Sequence, residues 1–257
     1  MKILVVNVNT SETMTETIAE AARHAASKGT EIVALRPCFG ADSVDCAFES
    51  YLSAVAVMSA VCTSDKSYDA VVMAGFGEHG RDGLQELIEQ PVIEICEASA
   101  HVAMMIGRSY SVVTTLQRSV PAIKDRLRLA GLDDRCASVR ASGMSTSAVD
   151  KNPERAVAAV VEEAREAVEQ DHAEVICLGC AGMAGLEEAI ASSLGVPVID
   201  GVAAAVKLAE ALVGLGLRTS KISTYAYPEP KAISGWPLRL GNRDAATREG
   251  AGGRLAR

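Results

Sequence analysis

The second half of this 257-residue chain repeats the pattern of the first half. Three pairs of segments match at nearly the same offset: residues 4–8 with 110–115, residues 70–80 with 175–185, and residues 91–94 with 197–200. One common offset for three short matches indicates an internal duplication. The repeat places Cys180 over Gly75, at the end of a strand-like run in each half.

Each half alternates short apolar runs with longer alanine-rich runs, which predicts strands alternating with helices in βαβ units. We therefore predict an α/β fold of two lobes related by a pseudo-two-fold axis, each a mainly parallel sheet flanked by helices. The expected division is residues 1–98 plus 208–240 for lobe 1 and residues 99–207 for lobe 2. Parallel sheets bind ligands at the carboxyl ends of their strands, so we expect the site in the cleft between the lobes.

Charge and cysteine content narrow the classes of partner. A formal net charge of -8 argues against nucleic acid or an anionic membrane surface as the main partner. The apolar run at the start is too short for a signal peptide, and seven cysteines are scattered without a disulfide pattern. We expect reduced thiols, a cytoplasmic location and no membrane span. Residues 241–257 lack apolar periodicity and are expected to form a disordered tail.

Cys180 is the strongest candidate for a chemical role. It lies in the run GCAGMAG, where glycines allow backbone N–H groups to approach a ligand and a helix can begin. Such surroundings lower the pKa of a thiol, so we expect a reactive Cys180. The alternative for any single cysteine is a small buried hydrophobic residue. We assign that structural role to the other six cysteines, Cys38, Cys46, Cys62, Cys96, Cys136 and Cys177.

Polar residues that follow the first predicted strand and its counterpart in the second half provide further candidates. Asn7 and Thr114 are expected to contact a ligand with amide or carboxylate groups, whereas Ser11 is expected to cap a helix. Glu78 and His79 lie in the loop beside Gly75, where we favour a solvated pair over a catalytic one. The four histidines are too dispersed to predict a metal site.

The sequence resembles the hydantoin racemases and the similar allantoin racemases of the aspartate/glutamate racemase superfamily. The resemblance covers most of the chain and rests on ILVVNVNTS at residues 3–11, SVVTTL at 111–116, LGCAGM at 178–183, PVIDGVAAA at 197–205, LGLRTSK at 215–221 and YPEPK at 227–231.

This resemblance implies a racemase without a cofactor, in which two opposed cysteines exchange a proton at C5 of a 5-substituted hydantoin or of allantoin. Carbonyl groups next to the carbon delocalise the carbanion, and thiolate and thiol act as base and acid. It also implies a cyclic ureide as the small-molecule partner and an assembly of identical subunits. The expected substrate-binding residues are Asn7, Asn9, Phe39, Phe76, Gly77, Thr114, Thr115, Ala181 and Gly182.

One departure from the family pattern affects the chemistry. The family loop reads CFGDPG, whereas residues 75–80 here read GFGEHG, so the first catalytic cysteine is replaced by Gly75 and only Cys180 remains. Three explanations stay open. Gly75 is an engineered replacement, or the chain is a natural one-thiol enzyme, as in the arylmalonate decarboxylases, or His79 supplies the missing acid/base group. We expect impaired racemisation, with decarboxylation or ligand binding without catalysis as alternatives.

Overall fold

A computed structural model describes residues 1–64 and 67–232. The tail expected at residues 241–257 lies outside the described residues. The first half contains β1 (Lys2–Asn7), α1 (Glu12–Ala25), β2 (Glu31–Leu35), α2 (Ala47–Thr63), β3 (Ala70–Ala74), α3 (Arg81–Leu87) and β4 (Val92–Glu94). The remaining elements are α4 (Ile95–Ile106), β5 (Tyr110–Thr114), α5 (Val120–Leu129), β6 (Cys136–Ala141), α6 (Thr146–Lys151), α7 (Pro153–Glu169), β7 (Val175–Leu178), α8 (Glu187–Leu194), β8 (Val198–Ile199) and α9 (Gly201–Gly214).

The strands form two four-stranded parallel sheets with the same strand order, β2-β1-β3-β4 and β6-β5-β7-β8. The pairing register repeats as well. In the first sheet Val72 pairs with Val5 and Ile93, and in the second sheet Cys177 pairs with Val112 and Ile199. These are the positions that the sequence repeat superimposes. The predicted two-lobed α/β fold is thus confirmed.

Helix starts show the same duplication at the level of side chains. Glu94 ends β4 and caps α4, where its carboxylate accepts the N–H groups of Cys96 and Glu97. Asp200 occupies the matching place after β8, and its carboxylate accepts the N–H of Val202 at the start of α9. A side-chain acceptor at this position satisfies backbone donors that have no partner within the helix.

Ser11 caps α1, as expected from the sequence. Its hydroxyl accepts the backbone N–H of Met14, and Met14, Ile18 and Ala22 then follow at four-residue spacing on the buried face of the helix. The cap fixes where the helix begins, directly behind the polar loop that follows β1. That loop reaches the cleft between the lobes.

The expected lobe boundaries fall inside two helices, α4 and α9. The apolar side of α9, including Val202, Ala205 and Ala209, packs in one core with Ile3 and Val72 of the first sheet. We propose Gly201, rather than residue 208, as the point where the chain returns to the first lobe. A Cβ on Gly201 would lie 2.8 Å from the Ile95 carbonyl oxygen, so glycine lets α9 cross α4 closely.

Candidate active site

The carboxyl ends of the strands of both lobes surround a cavity of about 540 Å³. Eight of the expected site residues line it: Asn9, Gly75, Phe76, Gly77, Thr114, Thr115, Cys180 and Ala181. Three others do not line it. Asn7 lies behind Asn9, with its side-chain amide held by Asn9, Ser11 and Thr15, while Phe39 belongs to the loop after β2. Gly182 lies in the short 3-10 turn after Cys180.

Cys180 is placed by the close approach of β5 and β7. A Cβ on the preceding residue, Gly179, would lie 2.8 Å from Val112 Cγ1 and 2.9 Å from Thr114 Cβ, so only glycine fits there. The Thr114 hydroxyl donates to the Gly179 carbonyl over 3.0 Å. The chain then turns, and the Cys180 side chain is presented to the cavity at the start of the 3-10 turn.

The surroundings of the Cys180 thiol raise its pKa, which corrects the expectation of a lowered one. Burial raises the pKa to about 11, and the nearby Asp45 carboxylate acts in the same direction. Backbone N–H groups of Gly182 and Met183 and the Thr146 hydroxyl lower it, but by less. The predicted N–H donors are therefore present, but desolvation outweighs them. Cys180 is protonated at neutral pH.

A polar bridge crosses the mouth of the cleft next to Cys180. The Asp45 carboxylate, from the loop before α2, accepts the hydroxyl of Thr146 over 2.8 Å and its backbone N–H over 3.2 Å. Thr146 begins α6 in the second lobe. Sequence reasoning missed both residues because no local pattern indicates that a loop of one lobe reaches a helix start of the other.

His79 occupies the space beside Gly75. A Cβ built on Gly75 would lie 2.5 Å from His79 Cδ2 and 2.5 Å from Val8 Cγ1, both far inside van der Waals contact. His79 is buried while Glu78 is exposed, so the prediction that both side chains are solvated is wrong for His79. The loop doubles back at Gly77 and Gly80, whose φ angles of 131° and 93° favour glycine. The three residues between Gly75 and His79 therefore do not separate the two in space.

The imidazole of His79 is held by the start of α2. Its Nδ1 lies 3.0 Å from the Ser50 hydroxyl, which donates to the Glu78 carbonyl over 2.7 Å. Burial, with a further contribution from the Arg126 guanidinium, lowers the pKa of His79 to about 4. His79 is thus a neutral imidazole in the cavity wall at neutral pH.

A buried group of charges forms another part of the wall. Arg126, only 5 % exposed, pairs with Glu97, Glu78 and Glu94, and these carboxylates hold its pKa above the usual value although burial acts against it. Glu94 also accepts the Gly77 N–H, which ties the Gly75–His79 loop to α4. Burial raises the pKa of Glu94 to about 7. The sequence offered no sign of this cluster, since Arg126 lies in a helix rich in exposed charges.

The cysteines outside the site divide by burial. Cys96 and Cys177 are buried, as expected for structural thiols, whereas Cys38 is exposed, so burial is a wrong expectation for it. Cys46 caps α2 and lines the cavity. Within residues 1–64 and 67–232, no group of three or more His, Cys, Asp or Glu side chains is arranged to hold a metal ion. In the same part of the chain, no helix combines the length and apolar character needed to cross a membrane.

Comparison with known proteins identifies the family. The family model for Asp/Glu/hydantoin racemases matches residues 3–209. A hydantoin racemase from Pseudomonas sp. (strain NS671) is 39 % identical over 96 % of this chain and 100 % of its own length. The structure of allantoin racemase from Pseudomonas fluorescens is 61 % identical, with a TM-score of 0.90 over 91 % of this chain and all of that one. Allantoin racemase from Klebsiella pneumoniae is 40 % identical, with a TM-score of 0.90 over 94 % of this chain and 99 % of that one. The chain therefore belongs to the Asp/Glu/hydantoin racemase family and is an enzyme of the isomerase class.

Proposed function

We propose that this enzyme racemises a 5-substituted hydantoin, or allantoin, without a cofactor, and that the Cys180 thiol transfers the proton at one face of C5. The observation that carries the proposal is the position of Cys180 at the carboxyl end of β7, in a cavity lined by both lobes. The similarity to hydantoin and allantoin racemases along nearly the whole chain supports the substrate class.

The proton at C5 of a hydantoin is acidic enough for such chemistry because the adjacent carbonyl delocalises the carbanion as an enolate. Charge on the enolate oxygen is stabilised by hydrogen-bond donors that are already in place. Asn9, Thr114 and Thr115 are the polar side chains proposed to hold the ring, with Phe76 against its face and the backbone of Gly77 and Ala181 nearby. Asn7 acts through Asn9, whose backbone N–H donates to Asn7 Oδ1.

The buried cation of the cavity wall already has anionic partners, since Arg126 forms ion pairs with Glu78, Glu94 and Glu97. Arg118, which also lines the cavity, is exposed. A cyclic ureide needs hydrogen bonds rather than countercharge, which favours the hydantoin, and release of carbon dioxide from a malonate is the test for the arylmalonate decarboxylase alternative.

Glycine at position 75 supplies no thiol for proton transfer at C5. With glycine there, Cys180 is the thiol proposed to act at C5, and racemisation by two opposed thiols is expected to be impaired because position 75 supplies none. Exchange of the C5 proton at the face served by Cys180 is nevertheless expected.

The test is deuterium uptake at C5 of the separate enantiomers of 5-isopropylhydantoin in D2O, followed by NMR. Cys180→Ala should reduce uptake for at least one enantiomer by roughly 100-fold, the usual scale for loss of a general acid or base. Cys38→Ala, which removes an exposed thiol, is the matched control and should have no effect.

Three results would count against the proposal. If Cys180→Ala takes up deuterium into both enantiomers at the wild-type rate, the Cys180 thiol is excluded as the group that transfers the proton. Release of carbon dioxide from a disubstituted malonate, without uptake into the hydantoin, would favour the decarboxylase. Thermal stabilisation by the hydantoin without any uptake would favour a binding protein.

A further inference from the structure

Gly75 and His79 fit each other as a pair. The distances of 2.5 Å from a Gly75 Cβ to His79 Cδ2 and to Val8 Cγ1 mean that no larger residue fits at position 75 while the ring stays in place. The absent side chain therefore leaves no empty space, because an imidazole fills it. His79 is 8 % exposed and lines the cavity, so this ring belongs to the wall on the Gly75 side.

Hydrogen bonding around the ring defines which nitrogen carries the proton. The single hydroxyl proton of Ser50 is donated to the Glu78 carbonyl over 2.7 Å. The Ser50 oxygen can then only accept from His79 Nδ1, 3.0 Å away, so Nδ1 carries the ring proton. Nε2 is left with its lone pair, and no described residue donates a hydrogen bond to it.

We infer that His79 Nε2 is the acid/base group for the face of C5 opposite to Cys180, so that the enzyme works with a cysteine and a histidine where two thiols were expected. The inference rests on the proposed function and deepens it, since it supplies the group for the second face. The sequence repeat supports the opposition, because Cys180 follows β7 and the Gly75 loop follows β3, the equivalent strand of the other lobe.

The proton balance is complete without a co-reactant. Nε2 takes the proton from C5, and the electron pair of the C–H bond passes into the enolate. The Cys180 S–H then delivers its proton to C5 from the other face, which leaves an imidazolium and a thiolate. In this charged form the pair converts the opposite enantiomer, and the thiolate takes the proton while the imidazolium returns one. Burial favours the neutral pair at rest, since it raises the pKa of Cys180 and lowers that of His79.

The test compares wild type, His79→Gln and Cys180→Ala with separate enantiomers of 5-isopropylhydantoin in D2O, measuring both deuterium uptake by NMR and inversion by chiral chromatography. Wild type should invert both enantiomers. Each variant should lose inversion by roughly 100-fold or more. Each should retain uptake into one enantiomer only, and the retained enantiomer should differ between the two variants. That complementary uptake also shows that each variant is folded. His101→Gln, at an exposed histidine of α4, is the matched control.

The possible failures are distinguishable. If wild type takes up deuterium in one enantiomer only and His79→Gln behaves in the same way, His79 is excluded while the one-thiol function stands. If His79→Gln inverts at the wild-type rate and Cys180→Ala does not, His79 is again excluded. If wild type takes up deuterium into neither enantiomer, the proposed function fails and the role of His79 fails with it.

Discussion

Gly75 and His79 show how two residues change the chemistry available at one position. The resemblance found in the sequence leads us to expect a cysteine at position 75, and here an imidazole from four residues further along the chain fills the space beside Gly75. The ring is neutral and hydrogen-bonded at one nitrogen, which are the properties of a group placed to accept a proton. The neutral state comes from burial and the hydrogen bond from Ser50 of α2, and the sequence alone reveals neither.

Crowding at Gly75 leads to a prediction about stability. Gly75→Cys should lower the free energy of unfolding by about 1–3 kcal/mol, because the new Cβ overlaps His79 and Val8. Adding His79→Ala should relieve part of this overlap. The double variant should then lose about 0.5–3 kcal/mol less unfolding free energy than the two single variants lose together. Urea unfolding of the four proteins measures this coupling. Gly214→Cys, where no atom lies within 4 Å of an added Cβ, is the control. Additive effects of the two substitutions would contradict the prediction.

Protonation of His79 makes stability depend on pH. Its pKa is about 4 when folded and 6.5 in the unfolded reference, so between these values the unfolded chain binds the proton and the folded chain does not. The free energy of unfolding contributed by His79 should fall as pH falls through this window, by up to about 1.4 kcal/mol per pH unit. Glu94 and Asp200, with pKa values raised to about 7 and about 6, act with the opposite sign.

The measurement is therefore the difference in unfolding free energy between wild type and His79→Gln at pH 7 and pH 4.5. Wild type should lose stability relative to His79→Gln when the pH falls from 7 to 4.5. His101→Gln serves as the control for loss of an exposed histidine. A difference that does not change with pH would show that His79 is not held neutral. The groups around the ring, Arg126, Glu78 and Glu94, are the same in both proteins.

At the level of elements, the sequence predicted the buried strands well but not the partly buried edge strand β6, and it predicted the loops poorly. Buried apolar runs bounded by glycine and proline identify parallel strands, and the repeat even predicts equivalent register, as for Val72 and Cys177. Loop geometry depends on a few backbone angles and on contacts from distant parts of the chain. The approach of His79 to Gly75 and the bridge from Asp45 to Thr146 were therefore not predictable.

The Asp45–Thr146 bridge between the loop before α2 and the start of α6 should control the reactivity of Cys180. The Asp45 carboxylate raises the pKa of the thiol, and the Thr146 hydroxyl lowers it when it turns from Asp45 to donate to the thiolate. Thr146→Val should therefore move alkylation of Cys180 by iodoacetamide to higher pH. Asp45→Asn should move it to lower pH, because a charge is lost and the Thr146 proton is released from the carboxylate.

Mass spectrometry of the peptide containing Cys180 across a pH series gives the alkylation midpoint for each variant. Cys38 in the same sample is an internal reference, since it is exposed and does not line the cavity. Shifts of the two variants in the same direction would show that the bridge acts through the position of the loop rather than through charge and hydrogen bonding.

At the scale of the whole molecule, α4 belongs to both lobes. Ile95 and Ala98 pack in the core that contains Val5 and Val72, whereas Cys96, Ala100 and Ala103 pack in the core that contains Val112 and Cys177. One helix thus fills two cores with different faces. The two lobes repeat one architecture, but each core needs side chains from α4. We therefore expect the lobes to unfold together.

A substitution in a core to which α4 contributes no residue tests this cooperativity. Leu84, fully buried on α3, packs against the far side of the first sheet. Leu84→Ala should lower the free energy of unfolding by about 2–5 kcal/mol. If the lobes unfold as one unit, the slowest-exchanging amides of β5 and β7 in the second lobe should lose the same amount of protection in hydrogen exchange. Leu215→Ala, at an exposed leucine, should change protection by less than about 0.5 kcal/mol. Protection that falls in β1 and β3 but persists in β5 and β7 would mean that the second lobe stays folded alone, and that the faces of α4 are separable.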